Sequence, residues 1–250
     1  MISIYLDGRL GNQMFQYTIV RLIAEKNNYK FFIPNGKYHE NDGNPHVWMG
    51  ENIFDCYLGE NNNPVLTYTY NDSHNQEYNN NIFNISDNTL LRGFFQTDKY
   101  YDKYEDIIRS WFKFKPCAES DEIIKKYENY CFIHFRGLDY KNIKMFFLPK
   151  SYYDDAKKHS GCSKFVIITD DYNMATEYFP DDIILSNNAK IDFNILNKAK
   201  NIIISNSSFS WWAAWLNTDN NVIAPNGWFN YNGDKSFAPY HINTNKFKYI

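Results

Sequence analysis

The sequence has few of the features that commit a chain to membranes, metals or nucleic acid. No run approaches the ~18 consecutive apolar residues that cross a bilayer, so no transmembrane segment is expected. The opening stretch, MISIYLDGRLGNQ, has no basic region and only a short apolar run. A signal peptide is therefore not expected, and the cytoplasm is the expected location. Only four cysteines occur, Cys56, Cys117, Cys131 and Cys162, with no C-x-x-C between them, and free thiols are expected. The six histidines are scattered, with neither H-E-x-x-H nor a strict D-x-D, so no metal site is expected. With 26 basic against 29 acidic residues the net charge is -3, which argues against a broad nucleic-acid face.

What is present is a globular composition, 44% hydrophobic and 22% charged, over 250 residues. That length suits one large domain or two small ones. Aromatics are abundant at 19%, with 21 Tyr, 20 Phe and 6 Trp, and there are 34 Asn. AT-rich coding favours these residues. So does a carbohydrate site, where aromatic faces stack on sugars and amides bond hydroxyls. Composition leaves both readings open.

Pattern along the chain predicts a strand over 2–6, a turn over 7–13, a helix over 14–27 and a strand over 29–34. This is a βαβ unit, hence a parallel sheet. Residues 35–90 carry little pattern and read as loops. Helices are expected around 100–112 and 121–128, with the chain dividing near Pro116 into domains 1–120 and 121–250. The second half then alternates short apolar strands (130–135, 164–169, 182–186, 201–205, 221–225) with helices (150–159, 171–179, 192–199, 208–217). Such alternation indicates buried parallel strands in a doubly wound α/β sheet, where ligands bind at the carboxyl ends of the strands.

Four polar clusters follow predicted strands. In DGRLGNQ (7–13), Gly8 and Gly11 permit a sharp turn ahead of a helix N-terminus suited to an anion, although an ordinary turn is equally compatible. HFRGLDY (134–140) places a His, an Arg and an Asp at a strand end. The guanidinium fork of Arg136 suits a phosphate, and a salt bridge to Asp139 is the plainer alternative. In TDD (169–171), a carboxylate suits a base or a ribose, whereas capping by Thr169 or Asp170 is the structural alternative. SNSSFSWWAAWLN (205–217) offers Ser207, Ser208 and Ser210 with free amides as an anion nest, and Phe209 to stack on a flat ring. The helical spacing of Trp211, Trp212 and Trp215 assigns them to the core. Together these groups suit a nucleoside diphosphate. The lack of a P-loop argues against ATP–Mg phosphoryl transfer.

The strings GRLGNQMFQY, LRGFFQTDKYY, HFRGLDY, LPKSYYDDA, FVIITDDYNMATEYF and IISNSSFSWWAAWLN, in this order, resemble the α1,2-fucosyltransferases of glycosyltransferase family 11. The resemblance runs from residue 5 to about residue 230. It implies a GT-B-like α/β fold of two Rossmann-like halves, GDP-β-L-fucose as donor, a glycan acceptor, no cofactor or metal, and inversion at the anomeric carbon. It further implies that Gly11 and Asn12 touch the diphosphate from the N-terminal half. By the same resemblance Arg136 grips the β-phosphate with His134 beside it, Asp170 meets guanine or ribose, and Ser207, Ser208 and Phe209 hold phosphate and base.

The chain departs from that family at Gly137, where the motif has a second arginine, and at Arg9, where a glycine is common and the arginine partly compensates. Asp139 and Asp7 are the candidate bases for the acceptor hydroxyl, and an ion-pair path in which the leaving phosphate takes the proton is the alternative. Two other readings stay open at this point: a transferase for another sugar nucleotide, and a non-catalytic relative that binds a sugar nucleotide or a glycan. Residues 35–90 are expected to shape the acceptor pocket. The acceptor itself and the oligomeric state are not legible.

Overall fold

A computed structural model of the chain describes residues 1–35, 46–60, 65–73, 77–101, 103–229, 231, 239 and 241–250. Parts of the expected acceptor stretch, 36–45, 61–64 and 74–76, lie outside the described residues. The chain divides into two compact units, Met1–Lys115 with Ala238–Thr244, and Pro116–Phe237 with Asn245–Ile250.

The first unit is built on β1 (Ile2–Ile4), α1 (Leu10–Asn27), β2 (Phe31–Phe32), β3 (Tyr68–Asn71), β4 (Thr89–Arg92) and α2 (Glu105–Trp111). Its strands lie in the order β2-β1-β4-β3, all parallel, which is the sheet expected from the βαβ pattern. Ile2 and Ile4 are fully buried, and α1 buries residues on every side, including Gln13 and Gln16. A helix so enclosed has little amphipathic contrast. The expected turn over 7–13 is shorter than its sequence suggested. Helix α1 begins at Leu10, so Gly11 and Asn12 are helical, and only Gly8 takes a left-handed φ of 70°.

The second unit contains α3 (Ala118–Lys126), β5 (Cys131–Phe135), α4 (Lys150–Ser160), β6 (Phe165–Thr169), α5 (Tyr172–Tyr178), β7 (Ile183–Leu185), α6 (Ala189–Lys198), β8 (Asn201–Ile203), α7 (Ser208–Leu216), β9 (Asn221–Ala224) and β10 (Lys248–Tyr249). The sheet runs β10-β9-β8-β5-β6-β7, all parallel. Succession leads outward from β5 through β6 to β7, then restarts at β8 on the other flank of β5. The strand order therefore reverses between β5 and β8, and in open α/β sheets a ligand crevice forms at the carboxyl ends beside such a reversal. The apolar strand residues Ile133, Phe135, Ile167 and Ile203 are fully buried against Tyr152, Tyr153 and Ala156 of α4. Trp211, Trp212 and Trp215 are also fully buried, with the rings of Trp211 and Trp215 stacked 5.9 Å apart, so they belong to the core as expected. No helix among the described residues is long and apolar enough to cross a membrane.

Candidate functional site

The reversal point is where the polar residues gather. His134 is the penultimate residue of β5, and Ser205 follows β8 by two residues. His134 Nδ1 lies 2.8 Å from Ser205 Oγ, so one buried contact joins the carboxyl ends of the two central strands. Burial, and then the nearby Arg136 charge, lower the His134 pKa to about 3. The imidazole is therefore neutral at pH 7 and adds no cation to the site. Its ring lies 5.8 Å from that of Phe209, which also meets Phe193 edge-on at 5.1 Å. Phe209 is thus braced on two sides and remains partly exposed.

Arg136 leaves β5 directly after Phe135. Its Nη1 lies 2.5 Å from Asp170 Oδ2 and its Nη2 lies 2.7 Å from Asp139 Oδ1. The Tyr140 ring sits 5.3 Å from the guanidinium carbon. The Arg136–Asp139 bridge that sequence offered as the plainer alternative is present, and Asp170 is a second partner that sequence spacing did not reveal. Asp170 Oδ1 also accepts the Gly137 N–H at 2.8 Å. The next carboxylate, Asp171, caps α5 by accepting the Met174 N–H, so the cap is neither Thr169 nor Asp170 as sequence allowed. Lys141 Nζ donates to Asp171 Oδ2 at 2.7 Å, and this ammonium holds the Asp171 carboxyl below the usual carboxylate range.

Gly137 has an ordinary backbone conformation rather than a left-handed one. Its requirement is steric: a Cβ there would lie 2.4 Å from Asp171 Cβ. The position that carries an arginine in the resembling family has no room here for any side chain unless Asp171 moves.

The turn after β8 is pinned by Asn206, whose Nδ2 donates to Phe146 O and Trp228 O. Ser207 is the N-cap of α7, and its carbonyl accepts the Trp211 N–H at 2.9 Å. Its hydroxyl makes no capping bond, so the first amides of α7 are not closed off by that side chain. Ser208 and Phe209 form the opening of this helix.

One residue of this region escaped sequence reading. Asp192, in the first turn of α6, is buried and accepts Asn187 Nδ2 at 2.9 Å. Burial, opposed by the Asn187 bonds and reinforced by the Asp170 charge, raises its pKa to about 7. Its sequence context, AKIDFNIL, reads as a plain amphipathic helix, and only tertiary burial marks the carboxylate.

The remaining expected residues lie in the first unit. Asp7 Oδ1 accepts the Gly8 N–H at 2.7 Å, and the Asp7 N–H donates to Gln16 Oε1. Arg9 is the exposed N-cap residue of α1 and makes no side-chain cap. Gly11 is buried, and Asn12 Oδ1 accepts Gln96 Nε2 at 2.8 Å. Among the described residues no group of three His, Cys, Asp or Glu side chains could hold a metal ion.

No family model matches the chain. Two glycosyltransferases of Escherichia coli are similar to it along nearly their whole length. An alpha-1,2-colitosyltransferase is 28% identical over 94% of this chain and 94% of its own. The O-antigen biosynthesis glycosyltransferase WbnK is 25% identical over 90% and 93% respectively. Among solved structures, the alpha-1,6-fucosyltransferase NodZ soaked with GDP-fucose superposes with a TM-score of 0.53 at 15% identity, over 87% of this chain and 92% of that one. The fold is that of the GT-B fucosyltransferases, as expected. The activity class these relatives support is glycosyl transfer.

Proposed function

We propose that this chain is an inverting glycosyltransferase that moves L-fucose from GDP-β-L-fucose to a galactoside hydroxyl, forming an α-1,2 linkage without a metal. The observation that carries the reading is the position of Arg136, at the strand-order reversal and ion-paired with Asp170. A guanidinium presents parallel N–H donors that match two phosphate oxygens. As the sugar–phosphate bond breaks, negative charge grows on the leaving GDP. A fixed Arg and the first amides of α7 stabilise that charge with no reorganisation.

The other groups divide the nucleotide between them. Phe209 offers a braced ring face for the base. Asp192, a buried carboxylate at the start of α6 next to Phe193, which meets the Phe209 ring, suits the N–H edge of guanine. Neutral His134 serves as a hydrogen-bonding wall rather than a charge. The similarity to a colitosyltransferase favours a second reading, in which the same site takes a donor carrying another sugar.

Thermal denaturation in EDTA against GDP, UDP, ADP and GDP-fucose tests both the base and the metal. Ligand at 100 times its Kd adds about 2.7 kcal/mol of stability. GDP and GDP-fucose are expected to raise the melting temperature in EDTA, and UDP and ADP are not. Stabilisation that requires added Mg²⁺ or Mn²⁺, or that follows UDP instead, overturns the reading. Mass analysis of products from a panel of galactosides then identifies the transferred sugar.

A further inference from the structure

Arg136 meets two carboxylates that are held very differently. Asp170 is fixed at two points, by Arg136 Nη1 and by the Gly137 N–H, and its side chain is 22% exposed. Asp139 is 45% exposed, and Arg136 Nη2 is its sole ion-pair or side-chain hydrogen-bond partner among the described residues. With both carboxylates in place, the cluster carries one net negative charge and repels a diphosphate. The guanidinium has further N–H donors, but a diphosphate is repelled less once one of the two carboxylates yields.

The energetics select which one. Moving Asp170 would strand the buried Gly137 N–H, and an unpaired buried donor costs more than an exposed ion pair contributes. Asp139 forms a local i,i+3 pair at the surface, and such pairs are weak. A phosphate on the same fork makes stronger charge-assisted bonds. The guanidinium keeps one Nη1 N–H on Asp170 and exchanges the partner of Nη2, so that its remaining N–H donors meet two phosphate oxygens.

Resting on the GDP-sugar transferase reading above, we propose that Asp139 occupies Arg136 in the free protein, is displaced by the donor diphosphate, and then serves as the catalytic base. The displaced carboxylate, on the exposed loop after Arg136, then turns toward the acceptor hydroxyl on the face of C1 opposite the leaving phosphate, as inversion requires. The C1–O bond to the β-phosphate breaks, and its electron pair leaves with GDP. The acceptor oxygen forms the new bond to C1, and its proton passes to an Asp139 oxygen and then to water. Donor binding thereby produces an unpaired base at the moment it supplies an electrophile, and before that moment the base is neutralised by Arg136.

The test is Asp139→Asn and Asp139→Ala, read by calorimetric GDP binding and by turnover of GDP-fucose with the galactoside panel. Removing the competing carboxylate is expected to tighten GDP binding in both variants, by about 2- to 5-fold, the range of an exposed ion pair. In the same proteins kcat is expected to fall about 100-fold or more, as when a general base is lost. The alanine variant controls for any bond from the asparagine amide to phosphate. Opposite signs in the two measurements support the proposal, because a merely structural role would lower both. Weaker GDP binding in the variants overturns the displacement, and kcat within about 3-fold of wild type overturns the base. A wild-type protein that binds no GDP is a separate outcome, since it removes the transferase reading itself.

Discussion

Each unit carries a polar loop after its first strand, and different forces hold the two. After β1 the loop makes no ion pair among the described residues and its connections pass mainly through buried amides. Gln16 accepts the Asp7 N–H and donates to Gly93 O at 2.9 Å, while Gln13 donates to Val47 O and accepts the Met49 N–H. Both glutamines are fully buried. After β5 the connections are ionic and partly exposed: Arg136 to Asp139 and Asp170, and Lys141 to Asp171. A buried amide network is costly to open, because every broken bond leaves a dry polar group. A partly exposed ion cluster exchanges partners at its exposed members, Asp139 and Lys141, because water and incoming anions compete for the same charges. The first loop is held by bonds that resist opening, and the second, on the proposed reading, takes the ligand.

The sharpest way to break this contrast is to alter one member of each loop. Arg136→Lys keeps the charge and loses the fork, so transition-state stabilisation should fall by about 2–4 kcal/mol. That corresponds to a loss in kcat/KM of roughly 30- to 800-fold, with little change in melting temperature. Gln16→Leu should do the reverse, lowering stability by about 2 kcal/mol through the unpaired Asp7 N–H and Gly93 O. Steady-state kinetics and thermal denaturation of both variants decide the matter. If Gln16→Leu melts like wild type, or Arg136→Lys turns over like it, the division of labour is mistaken.

Gly137 tests the packing of the ionic loop. Its Cβ-less position lies against Asp171, so Gly137→Ala overpacks that contact and should cost about 1–3 kcal/mol. Gly137→Arg meets the same obstacle before its charge can act, so it should lower the melting temperature and weaken GDP binding. Tighter GDP binding at unchanged melting temperature would show that the loop has slack the structure does not reveal.

These positions also show what was readable from sequence. Strands β5, β6, β8 and β9 are short apolar runs between turn residues, and burial on both faces makes such runs legible. Strand β3, YTYN, escaped because it is an edge strand whose residues are largely exposed, and β10 is an edge of two residues. The early start of α1 was hidden by Gly11 and Asn12, which read as turn formers; tertiary bonds from Gln13 and Gln16 override that preference. In the site, the His-Arg-Asp cluster and the Ser-Ser-Phe turn stood out by residue type. The pairing of Arg136 with Asp170, the steric role of Gly137 and the buried state of Asp192 depend on which loops are neighbours, and spacing along the chain does not encode that.

The smallest effect concerns two buried groups of the second unit that titrate in opposite senses. Folding lifts the Asp192 pKa from 3.8 to about 7, so between those values the folded protein holds a proton that the unfolded chain has lost. Asp192 therefore contributes stability that is complete below about pH 4 and is lost as pH rises through about 7, at no more than about 1.4 kcal/mol per pH unit. His134 falls from 6.5 to about 3 on folding, so the unfolded chain holds the extra proton. Its contribution is present above about pH 6.5 and is lost as pH falls toward 3. From about pH 4 to 6.5 the two slopes oppose each other, and removing either should unmask the other. Relative to wild type, Asp192→Asn should gain stability as pH increases across that window, and His134→Gln should lose it. Denaturant unfolding at half-unit pH steps measures both differences, and contributions common to all three proteins cancel. Two variants whose stability tracks wild type in parallel across the window would mean that neither group is as buried in solution as its contacts imply, and the guanine-facing role of Asp192 would fail with them.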